Sequence, residues 1–328
     1  MTKLDELVSN IKNEHVYIQT HNFPDPDAIA SAYGLQRLLE LRGIKSTICY
    51  KGKIDRRNLI SMIEKLNIEA ENVDEIQDLC DEDEVILIDS QKGNGNTYDI
   101  IGDEVASIDH HPTFFEIDYR FMDVRPDVGS CSSIIAEYYY ENNIPMDISI
   151  ATALMYGLKI DTADMTRGVS ELDLKVFHNL YFAADMTLIS YFSSNELQLN
   201  DLQAYSTAIE SIEVNGCISF ANTGNNCPEG LIATISDFVM SLENVEFSVV
   251  YSYNNGGIKL SVRSSKYSGL NAGEIVMLAL EDMGTGGGHF NMAGGFVPYN
   301  DEMDIEEIVE KFKTNFVGLV RERYDVKL

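Results

Sequence analysis

Over its first half the chain alternates short apolar runs with segments of helical spacing, and few architectures accept that order. Strands separated by helices pair in parallel, because each connection must cross the sheet before the next strand is laid down. "VYIQT" (16–20), "STICY" (46–50), "EVILIDS" (84–90) and "VASIDH" (105–110) read as strands, with "EVILIDS" the clearest buried one. Residues 27–42 place Ile29, Tyr33, Leu35, Leu38 and Leu39 mostly on one helical face, and Gly43 follows as a stop. Further helices are expected near 130–142, 147–159 and 171–182.

The pattern changes after about residue 185. The polar stretch 193–211 reads as a connecting helix, and a separate α/β unit is expected from Val214. "EFSVVYSY" and "GIKLSVRSS" flank the turn "NNG", a hairpin signal. A helix near 271–281, the glycine-rich loop "GTGGGHFNMAGGF", and a final amphipathic helix carrying Ile305, Ile308, Val309, Phe312 and Phe316 complete the chain. The expected fold is therefore α/β in two parts. Residues 1–190 form a parallel-sheet domain with helices on both faces, 191–213 a helical linker, and 214–328 a smaller α/β domain. A length of 328 residues suits two cores better than one.

Charge narrows the partners. With 24 Lys and Arg against 53 Asp and Glu, the chain carries −29. Long nucleic acid binds through many phosphate contacts from basic side chains, so this surface would repel a long duplex. A phosphate ligand should be short and its charge met locally; the acidic excess also has an ordinary reading in solubility. No charged-then-apolar leader and no bilayer-length apolar run is seen, which predicts a soluble protein without a membrane partner. The five cysteines are odd in number, widely spaced and without a CxxC pair, which fits a reducing cytoplasm. A homodimer is compatible with the sequence.

Ligands of open parallel sheets bind beyond the carboxyl ends of the strands, and there the polar residues gather. The first strand leads to His21, Asp25 and Asp27; the "ILID" strand ends on Asp89; "ASIDHH" ends on Asp109, His110 and His111; Asp161 closes the helical run "LMYGLKIDTAD". Any one acid there has a structural reading, and Asp27 stands where a helix N-cap belongs. Histidine is scarcer. Three of the six lie at these strand ends and a fourth, His289, in the glycine-rich loop, while His15 and His178 look incidental. Histidine with carboxylates and no thiolate suits Mn²⁺, with Mg²⁺ or Co²⁺ as substitutes. So many donors exceed the needs of one ion but would serve two ions about 3.5–4 Å apart, sharing a carboxylate. In "GIKLSVRSS", Arg263 alternates out from the apolar face, where its fork could meet a phosphate or simply solvent. The start of "GSCSSIIAEYY", with Gly129, Ser130 and Ser132, reads more readily as a helix cap than as an anion site.

"HNFPDPDAIAS", "LIDS", "IDHHP" and "LKIDTAD", in this order, resemble the motifs of the DHH phosphoesterase superfamily, named for Asp109-His110-His111. "GGGHFNMAGGF" resembles the glycine-rich motif of the C-terminal DHH-associated domain in its RecJ-like branch. The resemblance spans about residues 15–297, and the layout is most similar to the stand-alone NrnA-type enzymes. It implies that His21 and Asp25 hold one Mn²⁺ and that Asp27, His110 and Asp161 hold the other, with Asp89 bridging. His111 would face the substrate phosphate, Asp109 would orient the histidine pair, and Arg263 with Gly286, Gly287, Gly288 and His289 would hold the nucleotide's phosphate. Pro26 replaces a glycine often found between the two aspartates. The implied activity is hydrolysis of oligoribonucleotides of a few units, of linear dinucleotides such as pApA, or of the 3′-phosphate of pAp, by a hydroxide activated by both ions. Cleavage of cyclic di-AMP and non-catalytic nucleotide sensing are the weaker alternatives; the glycine-rich motif argues against a pyrophosphatase.

Overall fold

Six parallel strands carry the first half of the chain, and the order in which they are laid down sets the position of everything polar. The computed structural model describes residues 1–194, 197–300 and 303–325, in two units, Met1–Glu196 and Leu197–Leu328. The first unit runs α1 (Lys3–Asn10), β1 (His15–Gln19), α2 (Pro26–Leu41), β2 (Lys45–Tyr50), α3 (Arg57–Leu66), β3 (Glu71–Asn72), β4 (Glu84–Ile88), β5 (Asp103–Asp109) and β6 (Phe121–Val124). Four helices follow: α4 (Cys131–Glu141), α5 (Ile148–Asp161), α6 (Glu171–Ala183) and α7 (Met186–Ser194). The sheet order is β3-β2-β1-β4-β5-β6, with every pair parallel. From β1 the chain builds outward to β3, then returns to the other side of β1 for β4. Connections at the carboxyl ends of β1 and β4 therefore diverge and leave a crevice between them.

Alternation along the strands separates two cores. Val16, Ile18, Ile86, Ile88 and Ile108 enter the larger one with the buried faces of the helices. Gly34 lets α2 approach its neighbours, since a Cβ there would stand 2.9 Å from Ile135 and 3.3 Å from Leu154. Tyr17, Cys49, Val85 and Leu87 face the other way. Helical cover was expected on that face too, but its cluster is completed by Ile100 and the half-buried Val73, Ile76, Leu79 and Tyr119, all from connections. The connections before β4, β5 and β6 form no helix and cover the sheet as loops.

The second unit comprises α8 (Asp201–Glu210), β7 (Glu213–Asn215), β8 (Ile218–Asn225), α9 (Glu229–Val239), β9 (Phe247–Asn254), β10 (Gly257–Ser264), α10 (Ala272–Ala279), β11 (Thr285–Gly288), β12 (Met292–Pro298) and α11 (Ile305–Asp325). Its sheet has the order β11-β12-β10-β9-β8-β7, and only β8 and β9 pair in parallel. Two expectations are corrected here. The stretch 193–211 is not one connecting helix: α7 ends at Ser194, and α8 packs Ala208 into a core of the second unit. The glycine-rich segment is not a loop but a hairpin, in which Gly286 pairs with Gly295 and Gly287 with Gly294. No described helix is long and apolar enough to cross a membrane.

One buried carboxylate ties the starts of two helices together. Asp173 in α6 is fully buried and accepts hydrogen bonds from Gly129 N (2.8 Å), Ser170 N (2.8 Å), Ser170 Oγ (2.5 Å) and Ser133 Oγ (2.6 Å). Asp173→Ala leaves the Gly129 amide without its acceptor and should lower stability by about 2–3 kcal/mol, read from denaturant unfolding. Unchanged stability would show that these bonds add nothing net.

Candidate metal centre

Three connections and one helix end bring the expected donors into the crevice. Ligand atoms of His21, Asp25 and Asp89 lie within 4.8 Å of one another, as do those of Asp27, His110 and Asp161. Asp89 recurs with Asp109, His110 and His111 in a third such group. It is 1% exposed and stands just past β4 with a left-handed backbone (φ 54°), a conformation that Asp tolerates better than most residues. Its amide donates to Ile108 O at 2.9 Å. The carboxylate then meets three imidazoles: Oδ1 lies 3.3 Å from His110 Nε2 and 3.6 Å from His111 Nδ1, and Oδ2 lies 3.7 Å from His21 Nε2.

The histidines are oriented from behind. His21 Nδ1 lies 2.9 Å from Asn22 O, and His110 Nδ1 lies 3.2 Å from Val128 O. A carbonyl can only accept, so each Nδ1 carries a proton and each Nε2 is directed at the acids, the arrangement common to metal-binding histidines. His111 differs. Its Nδ1 is 2.9 Å from Asp109 Oδ1 and its side chain is 47% exposed. Asp109 is itself buried, accepting also from the amides of His110 (2.7 Å) and His111 (3.1 Å) and from Gln91 Nε2 (2.7 Å).

Of the two aspartates in "PDPD", Asp25 and not Asp27 is the N-cap of α2, accepting from the amides of Asp27 (2.9 Å) and Ala28 (3.1 Å). Pro26 occupies the first helical position, where a missing N–H costs nothing. Asp27 is fully buried, and its two oxygens accept from Cys131 N (2.8 Å) and Ser132 N (2.9 Å) at the start of α4. Ser130 caps that helix through Ser133 N at 3.2 Å, as its sequence implied. Gly157 in α5 gives Asp27 room, because a Cβ there would stand 2.9 Å from Asp27 Oδ1. Asp161 Oδ2 lies 3.0 Å from His110 Nε2, and the Asp161 carbonyl accepts from Arg167 Nε (3.1 Å) and Nη2 (2.6 Å).

Electrostatics show what such a cluster demands. Burial raises the Asp89 carboxyl against the lowering influence of His110, and burial with the charges of Asp89 and Asp161 drives Asp27 well above the usual range. Burial opposes charge on His110, yet Asp161 and Asp89 push it up to about 12. His21 rises to about 9 in the same way, against burial, through Asp25 and Asp89. Asp25 is held down at about 2, its burial outweighed by His21. Among the described residues, Asp89 Oδ1 and His110 Nε2 are buried atoms without an aligned hydrogen-bond partner. Carboxylates buried this close together call for positive charge between them, and the set of imidazoles and carboxylates suits a divalent ion.

The second unit brings only part of its expected set together. Arg263, Gly287 and Gly288 line a cavity of about 310 Å³ with Glu229, Lys259 and Ser261. Arg263 does not present a free fork: Nε donates to Asp237 Oδ1 at 2.6 Å, and Nη1 to Ser261 Oγ and Val262 O at 3.2 Å. Gly286 is turned toward α10, where a Cβ would meet Val276 at 2.9 Å. His289 is exposed and outside that lining; its backbone shapes the hairpin turn, with N–H to Met292 O at 2.8 Å. Gln91, Gly157, Arg167 and Lys259 were not singled out by sequence. Only Lys259 left a signal, through its alternation with Ser261 and Arg263.

Fold and geometry together define a histidine–carboxylate centre at the strand-order reversal of a parallel sheet. Residues 15–158 match the DHH family N-terminal domain and residues 213–317 the DHHA1 domain, so the chain belongs to the DHH superfamily. It is 30% identical over 313 residues to an uncharacterised protein of Methanocaldococcus jannaschii, covering 93% of this chain and 64% of that one. It is 24% identical over 312 residues to the cyclic-di-AMP phosphodiesterase PdeA of Listeria monocytogenes, covering 88% of this chain and 45% of PdeA. The chain thus spans less than two thirds of either relative. The crystal structure of an exopolyphosphatase-related protein from Bacteroides fragilis shares the fold, with a TM-score of 0.75 at 17% identity over 98% of this chain and 97% of that one.

If the cluster holds divalent cations, Mn²⁺ stabilises the folded state by mass action. At 100 times the dissociation constant the gain is about 2.7 kcal/mol, enough to raise the melting temperature by several degrees over a chelated sample. Asp89→Asn should lose that shift. An equal shift in both proteins would place the binding elsewhere.

Proposed function

We propose that the chain is a manganese-dependent phosphoesterase acting on short nucleotides: oligoribonucleotides of a few units, linear dinucleotides such as pApA, or the 3′-phosphate of pAp. The observation that carries this reading is the convergence on Asp89, a buried carboxylate within 3.7 Å of His21, His110 and His111. His21 and Asp25 would hold one Mn²⁺ and Asp27, His110 and Asp161 the other, with Asp89 reaching both. Bound cations of this kind neutralise phosphate charge and lower the pKa of an attacking water.

The remaining work falls to the chain's own groups. Asp27 is fixed by the first amides of α4, so its oxygens do not swing when substrate arrives. Asp109, itself held by Gln91, meets the His111 ring at Nδ1. Its other nitrogen is then directed outward, where it can bind a phosphate oxygen or give a proton to the leaving group. Arg263, Gly287 and Gly288 would contribute to holding the nucleotide, with Lys259 as a further cation in the same cavity. The −29 charge favours short ligands over long strands. Free cysteines throughout the described chain support a reducing compartment, the cytoplasm. A second reading, cleavage of cyclic di-AMP, draws on the similarity to PdeA over 88% of this chain.

An assay with Mn²⁺ on pAp, pApA, a pentaribonucleotide, cyclic di-AMP and pyrophosphate separates the readings. One of the first three should be turned over fastest. Asp89→Asn should lower kcat by more than about 100-fold, beyond what loss of a group behind a ligand typically removes. Near-normal turnover in that variant contradicts the mechanism. Preference for cyclic di-AMP selects the second reading, and tight nucleotide binding without product makes the protein a sensor.

A further inference from the structure

Between His21 and Asp25 stands a residue whose conformation has no structural return. Phe23 has a left-handed backbone (φ 54°) although it is bulky and precedes a proline, two conditions that favour extended backbone. Burial would repay such strain, yet Phe23 is 66% exposed. The conformation is enforced instead. Phe23 N donates to Lys51 O at 2.8 Å, and Asn22 is pinned on both sides, its amide donating to Asn96 O at 2.7 Å and its Oδ1 accepting from Tyr98 N at 3.0 Å. Gly52 makes room for the ring: its own φ is +99°, and a Cβ there would stand 2.7 Å from Phe23 Cδ1. A second aromatic borders the same loop, Tyr98, 47% exposed, with Lys51 Nζ at 4.7 Å from its ring centroid.

A strained, solvent-facing ring backed by glycine and set two residues from candidate metal ligands on either side is a platform rather than a core residue. We infer that Phe23 stacks a nucleobase of the substrate whose phosphate lies at the metal centre, so that this rim selects nucleotides over base-free phosphates. Every base offers a π-face, and stacking on an aromatic side chain is strong enough to set such a preference without reading sequence. The inference rests on the phosphoesterase reading above and adds its specificity determinant.

The test compares kcat/KM for pApA with that for its abasic counterparts, each lacking one base, in wild type, Phe23→Gly and Phe23→Trp. Glycine adopts φ 54° without strain, so Phe23→Gly should fold at least as stably as wild type. Its preference for the intact dinucleotide should fall about tenfold to a hundredfold, and Phe23→Trp should restore it. A preference that stays within about threefold in Phe23→Gly, or is not restored by Phe23→Trp, overturns base stacking while leaving hydrolysis intact. Wild type that cleaves neither substrate overturns both.

Discussion

Too much negative charge is buried at one point of this molecule for the fold to hold it unaided. Asp27 and Asp89 are buried to the last few percent, with Asp25 and Asp161 beside them and imidazoles as the nearest offsetting groups. Removing ionised carboxylates from water is expensive unless opposite charge accompanies them. The neighbouring imidazoles answer by rising to about 9 and about 12, and Asp27 and Asp89 by rising themselves. Divalent cations entering this cluster would have to displace those protons, so metal affinity should weaken as the medium becomes more acidic. Much of the surrounding structure keeps these groups from relaxing apart: the amides of α4 on Asp27, the cap on α2, the carbonyls behind two histidines, and the grip of Arg167 on Asp161.

The sheet explains how distant residues come to share one pocket. Reversal of strand order between β1 and β4 places the ends of neighbouring strands around a crevice. Three short connections and the end of α5 then deliver donors from His21 to Asp161. Helices α2, α4 and α5 close the back of this pocket only because Gly34 and Gly157 lack side chains. Stability and function meet at these glycines. A methyl group at Gly157 would press on the buried carboxylate of Asp27, whereas one at Gly34 would press on Ile135 in the core.

Most of this was legible in the sequence where a scarce residue type coincided with a strand end. Histidines at 21, 110 and 111 marked the site because few others exist, and the strands before them have strong apolar signals. What escaped depends on partners far along the chain. Asp27 looked like a cap because its real partners, Cys131 and Ser132, become neighbours only after α2 and α4 pack. Gln91 is one polar residue in a polar connection until folding sets it on Asp109. Arg263 promised a free fork, but no local pattern announces Asp237 on α9. The glycine run was read as a loop because glycine weakens strand propensity, while its pairing across β11 and β12 makes it a hairpin lying against α10.

Anomalous scattering at the manganese edge, from crystals grown with Mn²⁺, addresses the shared centre most directly. Two peaks about 3.5–4 Å apart are expected, with Asp89 touching both, His21 and Asp25 on one, and Asp27, His110 and Asp161 on the other. A single peak that leaves Asp89 unligated, or no peak in the crevice at millimolar metal, would contradict a two-ion site.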